Sequence, residues 1–153
     1  MSVLVVIPAR YGSTRFPGKP LAPLNGSPLI HHVYERAKEA KRLDEVIVAT
    51  DDARIAQAVT RVGGRAVMTN AQHRSGTDRV AEVARQLDAQ ILINIQGDEP
   101  LVRPEQIDQL VEFLSAHQAV PMATLMTRLA RPEDAASPHV VKVVVDQDGY
   151  ALY

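Results

Sequence analysis

Three cations stand in a loop that holds no acid. Arg10, Arg15 and Lys19 lie within residues 7–26, IPARYGSTRFPGKPLAPLNG, beside three glycines and four prolines, and no acid precedes Glu35. Such a loop suits an anion. Arginine forks match phosphate oxygens and a lysine adds a point charge. Gly12 and Gly18 let the backbone come close to a ligand and turn N–H groups toward its oxygens. The loop is not a Walker A motif. Five residues separate Gly12 from Gly18, and Pro20 follows Lys19 where Ser or Thr is needed. No G-x-G-x-x-G occurs either. A solvated surface loop is the competing reading. The absence of acids and the place of the loop, directly after an apolar run, favour anion binding.

A second stretch, INIQGDEP (93–100), carries a different chemistry. In an extended chain Asn94, Gln96 and Asp98 share one face. That polar line leads to a carboxylate suited to Mg²⁺, which takes one or two carboxylates and fills its other positions with phosphate and water. Glu99 is either a second ligand or an outward turn residue. Alone, GDEP reads as an ordinary turn. Opposite the cationic loop it favours a metal–nucleotide site. In HRSGTDR (73–79), Ser75 suits a helix N-cap. Arg74, Ser75 and that helix end can also meet a base or phosphate.

Other chemistries find little support. The five histidines (31, 32, 73, 117, 139) include no pair four apart. His31 and His32 diverge by about 100° on a helix, and all five read as solvent or packing residues. Asp51 has the place of a ribose-binding acid, but helix capping is preferred without the glycine fingerprint. No G-x-S-x-G nucleophile elbow exists.

The elements that must position these residues alternate. SVLVVI (2–7) reads as a strand buried on both faces. Ser27-Pro28 reads as an N-cap and first helical residue, opening a helix to about Arg42 with Ile30, Val33, Tyr34 and Ala37 inward. EVIVAT (45–50) is a strand. Asp51 or Asp52 caps the next helix, which Gly63-Gly64 stops. RAVM (65–68) is a short strand. A helix begins near Ser75, with Asp78 completing a capping box, and presents Val80, Val83, Ala84 and Leu87. ILINIQ (91–96) is a strand, and Pro104 opens a helix with Ile107, Leu110, Val111 and Leu114 inward. MATLMTRL (122–129) and VVKVVVD (140–146) read as further strands, with a turn or short helix at 131–138. The alternation predicts one doubly wound, mostly parallel α/β domain over residues 1–153, its sheet flanked by helices.

Composition narrows the class. The 153 residues suit one domain with a sizeable core. A net charge of -1 argues against a nucleic-acid-coating surface. The lack of cysteine excludes disulfides and thiolate metal sites. No signal peptide or membrane span is legible, so a cytoplasmic protein is expected. YALY (150–153) starts a strand and stops, so a longer protein is expected.

VVIPARYGSTRFPGKPLAPLNGSPLI, VIVATDD, HRSGTDRVAEV, INIQGDEP and VVKVVVDQDGYALY span essentially the whole chain. Together they resemble the sugar-acid cytidylyltransferases, and most closely the 3-deoxy-manno-octulosonate (Kdo) cytidylyltransferase family. The resemblance implies a fold of the nucleotide-diphospho-sugar transferase type, and transfer of CMP from CTP to Kdo for lipopolysaccharide synthesis. It implies that Arg10, Gly12, Ser13, Arg15 and Lys19 hold the triphosphate, with Arg10 and Lys19 in the catalytic role. It places Arg74, Ser75 and Gln96 around the cytidine, and Asp98 on Mg²⁺. It also implies a homodimer whose remaining length carries a second metal carboxylate and most sugar-acid contacts. Two alternatives stay open: another sugar acid such as sialic acid, or a noncatalytic nucleotide-binding module.

Overall fold

A strand buried on both faces has no polar side, and β1 (Val3–Ala9) is buried along its whole length. Val3, Val5, Ile7 and Ala9 enter one core cluster, while Leu4 and Val6 enter a second. Next come a short hairpin, β2 (Pro23–Leu24) and β3 (Ser27–Pro28), and helix α1 (Leu29–Lys38). The chain continues through β4 (Glu45–Thr50), α2 (Ala53–Arg61), β5 (Arg65–Met68), α3 (Gly76–Gln86), β6 (Ile91–Asn94) and α4 (Pro104–Ala116). The structure is a computed structural model and describes residues 2–12 and 16–153.

The main sheet is parallel throughout, in the order β5-β4-β1-β6. Helices cover both faces. Ile30 and Val33 of α1, Ile55 and Val59 of α2, and Ile107 and Val111 of α4 join one cluster. Val80 and Val83 of α3 join the other, against Leu4, Val6, Ile47 and Ala49. Each fully buried aliphatic side chain contributes about 1.5–3 kcal/mol. This is the doubly wound, parallel α/β architecture that the alternation predicts. Among the described residues no helix is long and apolar enough to cross a membrane.

Several boundaries differ from the sequence expectation. Ser27 and Pro28 are not an N-cap and first helical residue: they form β3, and Pro28 precedes α1 without a side-chain cap. The cause is Asn25-Gly26, whose positive φ values of 49° and 83° fit a two-residue hairpin turn. Helix α1 ends at Lys38, short of Arg42. There the carboxylate of Asp108, on α4, accepts from the backbone N–H groups of Lys41 and Arg42, at 2.9 and 2.8 Å. Strand β6 stops at Asn94 rather than residue 96.

Residues up to Met122 form one compact unit, and Ala123–Tyr153 a second. Within the second, the strands expected at 122–129 and 140–146 do not form. It holds a 3-10 turn at Pro132–Ala135 and an isolated antiparallel bridge between Val145 and Ala151. Val144 and Leu152 close that bend, the Leu152 N–H donating to the Val144 carbonyl at 2.8 Å. Val141 and Val144 are exposed. Apolar β-formers become strands only by pairing with a neighbour, and these residues lack a ladder.

Candidate functional site at the carboxyl edge of the sheet

Register brings the strand ends to one edge. Ala9 lies beside Thr50, Thr50 beside Met68, and Val6 beside Asn94. From β1 the chain moves to β4 and β5, then returns past them to β6 on the other side of β1. Ligand crevices form where strand order reverses in this way, here between β1 and β6.

Two loops meet at that crevice. Lys19 Nζ lies 2.5 Å from Asp98 Oδ2, with both side chains roughly half exposed. Such an exposed pair contributes only about 0–1 kcal/mol. Its significance is placement: a cation from the first loop and an acid from the β6 loop occupy one spot.

Glycines permit this approach. Gly97 is buried, and a Cβ there would lie 3.0 Å from the Pro8 carbonyl oxygen. The β6 loop can therefore lie directly on the end of β1. Gly18 has φ +71°, and its N–H donates to the Tyr11 carbonyl at 2.8 Å. This contact closes the base of the cationic loop and opens the 3-10 turn Lys19–Leu21. The Arg54 guanidinium stacks 3.5 Å from the Tyr11 ring centre. Asp52 holds it with a fork of 3.0 and 2.7 Å, and that hydrogen bonding keeps the Asp52 carboxyl below its ordinary pKa.

The other expected residues that the structure describes gather around the same edge. Arg10 and Gly12 are exposed just after β1. Ser13 and Arg15 lie outside the described residues. Asn94, Gln96 and Asp98 are exposed while Ile93, Ile95 and Gly97 are buried, so the three polar groups share a face. Gln96 Nε2 donates to Asn94 Oδ1 at 3.0 Å. Arg74 and Ser75 are exposed at the start of α3. Ser75 caps α3, and Asp78 accepts from its hydroxyl at 2.8 Å and its N–H at 3.1 Å. These bonds lower the Asp78 pKa, the side-chain one most. A Cβ on Gly76 would lie 3.2 Å from Pro8 Cγ and 3.6 Å from Gln96 Oε1. The α3 start, Gln96 and the end of β1 therefore form one seam.

Asp98 and Glu99 supply hard oxygen donors beside a lysine, a set that fits Mg²⁺ completed by phosphate and water. Among the described residues no group of three metal-ligating side chains exists, so the chain presents carboxylates rather than a closed cage. Glu99 has a raised pKa, from desolvation first and then the Asp98 charge. A pocket of about 450 Å³ beside them is lined by Leu101 and Gln106.

Sequence reading missed three contacts. Capping of α2 falls to Asp52, while Asp51 pairs with Arg79, which is buried. Arg79 stands four positions before Val83, on the buried stripe of α3, which is a readable signal. His73 contacts Glu82 rather than solvent alone. The Tyr11–Arg54 stack has no local signature, because 43 positions separate its partners.

Fold and site together define a doubly wound α/β protein with a mixed-charge crevice at its switch point. The chain belongs to the cytidylyltransferase family, whose model matches residues 4–153. It is 54% identical, over its full 153 residues, to a 3-deoxy-manno-octulosonate cytidylyltransferase of Geobacter sulfurreducens. The chain spans 61% of that relative's length. A solved CMP:2-keto-3-deoxy-manno-octonic acid synthetase complexed with CTP is 48% identical, with a TM-score of 0.94. That match covers 100% of this chain and 63% of the other. A cytidylyltransferase from Leptospira borgpetersenii is 27% identical, with a TM-score of 0.68 over 77% of this chain and 50% of that one.

Proposed function

We propose that the whole protein transfers CMP from CTP to Kdo, giving CMP-Kdo and pyrophosphate for lipopolysaccharide synthesis. The observation that carries this reading is Lys19 beside Asp98 at the β1–β6 crevice. Support also comes from the 54% identity to a Kdo cytidylyltransferase and the likeness to a synthetase complexed with CTP.

In this reading Arg10, Arg15 and Lys19 offset the triphosphate charge, while Gly12 and Ser13 let the loop backbone approach it. Arg74, Ser75 and Gln96 flank the cytidine. Asp98 would hold Mg²⁺, which when bound would neutralise phosphate charge. The anomeric hydroxyl oxygen forms a bond to the α-phosphorus, and the bond from that phosphorus to the pyrophosphate oxygen breaks. Pyrophosphate leaves, and the hydroxyl proton passes to solvent. The loop residues hold CTP in line for attack, which is worth much of such a barrier. A covalent enzyme intermediate is not required. Because the chain spans 61% of its relative, the sugar-acid contacts, a second metal carboxylate, a homodimer and a cytoplasmic location belong to the proposal for the whole protein.

Pyrophosphate release by the whole protein with CTP and Mg²⁺ tests the reading, with Kdo and sialic acid compared as acceptors. Kdo-dependent release supports it. Release only with sialic acid overturns the acceptor, and no release with either overturns the activity. Calorimetry with CTP and Mg²⁺ tests the nucleotide edge separately: binding should weaken sharply in Arg10→Ala and Asp98→Ala.

A further inference from the structure

Arg79 lies one turn into α3 and is only 2% exposed. Its guanidinium donates to Thr69 Oγ1 and, at 2.9 Å, to Asp51 Oδ2. Asp51 follows β4 and Thr69 follows β5. The Thr69 N–H donates to the Thr50 carbonyl at 2.8 Å, so these two strand ends are already joined. One side chain of α3 therefore grips the carboxyl ends of two adjacent strands.

Stability alone is a poor reason for an arginine here. A buried ion pair roughly repays its own desolvation, and well-packed apolar residues often do as well. An arginine adds direction, because its planar fork presents donors at fixed angles. Direction matters for this helix. Its first turn forms the seam with Pro8 and Gln96, where even a Cβ on Gly76 would crowd the proline ring at 3.2 Å. A small tilt or slide of α3 would change that seam.

We propose that Arg79 is a positioning residue for the nucleotide, anchoring α3 to the ends of β4 and β5 so that Ser75, Gly76 and Gln96 make a fixed wall for the cytidine. This rests on the CTP reading above. The side chain acts through α3 and need not touch the substrate.

Steady-state kinetics of the whole protein test this with two variants. Arg79→Lys keeps the charge and loses the fork. Thr69→Val keeps the volume and loses one acceptor. The KM for CTP should rise about tenfold in Arg79→Lys, where the binding-competent pose of α3 falls to about a tenth of the population, and a few-fold in Thr69→Val, which keeps one of the two anchors. The kcat and the KM for Kdo should stay within about twofold, since a positioned ground-state wall acts mainly on CTP binding. A purely structural role would lower the melting temperature and leave the CTP KM of folded enzyme unmoved. That result in Thr69→Val overturns the inference, even if Arg79→Lys fails to fold. Wild-type protein that turns over no CTP overturns the underlying reading and this inference with it. Wild-type turnover with an unmoved KM in both variants overturns the inference alone.

Discussion

Gly18→Ala should damage the protein in two separable ways. Gly18 has φ +71°, and a Cβ there would lie 2.9 Å from Tyr11 Cε2 and 3.1 Å from Cζ. The backbone conformation alone costs a non-glycine residue about 1–2 kcal/mol. The ring must also move, and it is not free to do so cheaply. Arg54 is stacked on it at 3.5 Å, and Asp52 pins Arg54. Loosening an exposed cation–π stack costs about 0.5–1 kcal/mol. The sum is about 2 kcal/mol, or a fall of about 4–8 °C in melting temperature for a protein of this size. Urea unfolding of a double-mutant cycle separates the parts. In a Tyr11→Ala background the ring is gone, so Gly18→Ala should cost only the backbone share, leaving a coupling of about 0.5–1 kcal/mol. An equal cost in both backgrounds refutes the ring contact. No cost in either refutes the strain argument as well.

Two further outcomes follow from the same geometry. Lys19→Met should change stability by less than about 1 kcal/mol, because its partner is exposed. CTP affinity by calorimetry should nevertheless fall at least about tenfold, and an unchanged affinity would remove Lys19 from the site. For Asp78, Ser75 bonding depresses the folded pKa, so the cap contributes fully above the unfolded aspartate pKa and is lost as pH falls through the depressed folded value. Melting temperature measured from about pH 5 downward should therefore fall less steeply in Asp78→Asn than in wild type, and parallel curves would exclude the linkage.

Much of the fold was legible because its signals are local. The apolar run of β1, the capping box at Ser75 and the stop at Gly63 each involve a few neighbouring residues. The structure departs from the local signals where a distant partner, or the lack of one, decides the outcome. Asp108, more than sixty positions away, takes the N–H groups beyond α1. The valines at 140–145 have strand propensity without a ladder to join. Ser27-Pro28 differs for a local reason: the Asn25-Gly26 turn beside it pairs it with Pro23-Leu24 as a hairpin, which overrides its helix-start pattern.

For the site, sequence alone determined the inventory: a cationic glycine loop, an acid at a strand end, and a capped helix between them. The alternation of strands and helices also implied that these lie at one edge. Only the tertiary structure decided who meets whom. Lys19 and Asp98 are 79 positions apart, and their contact depends on β1 and β6 being adjacent and on Gly97 lying against Pro8. Arg79 likewise meets Asp51 and Thr69 only because α3 lies across the ends of β4 and β5. The reason is physical. Helix caps and turns are closed by bonds within a few residues, whereas a binding edge is made by strand order, which no short stretch of the chain contains.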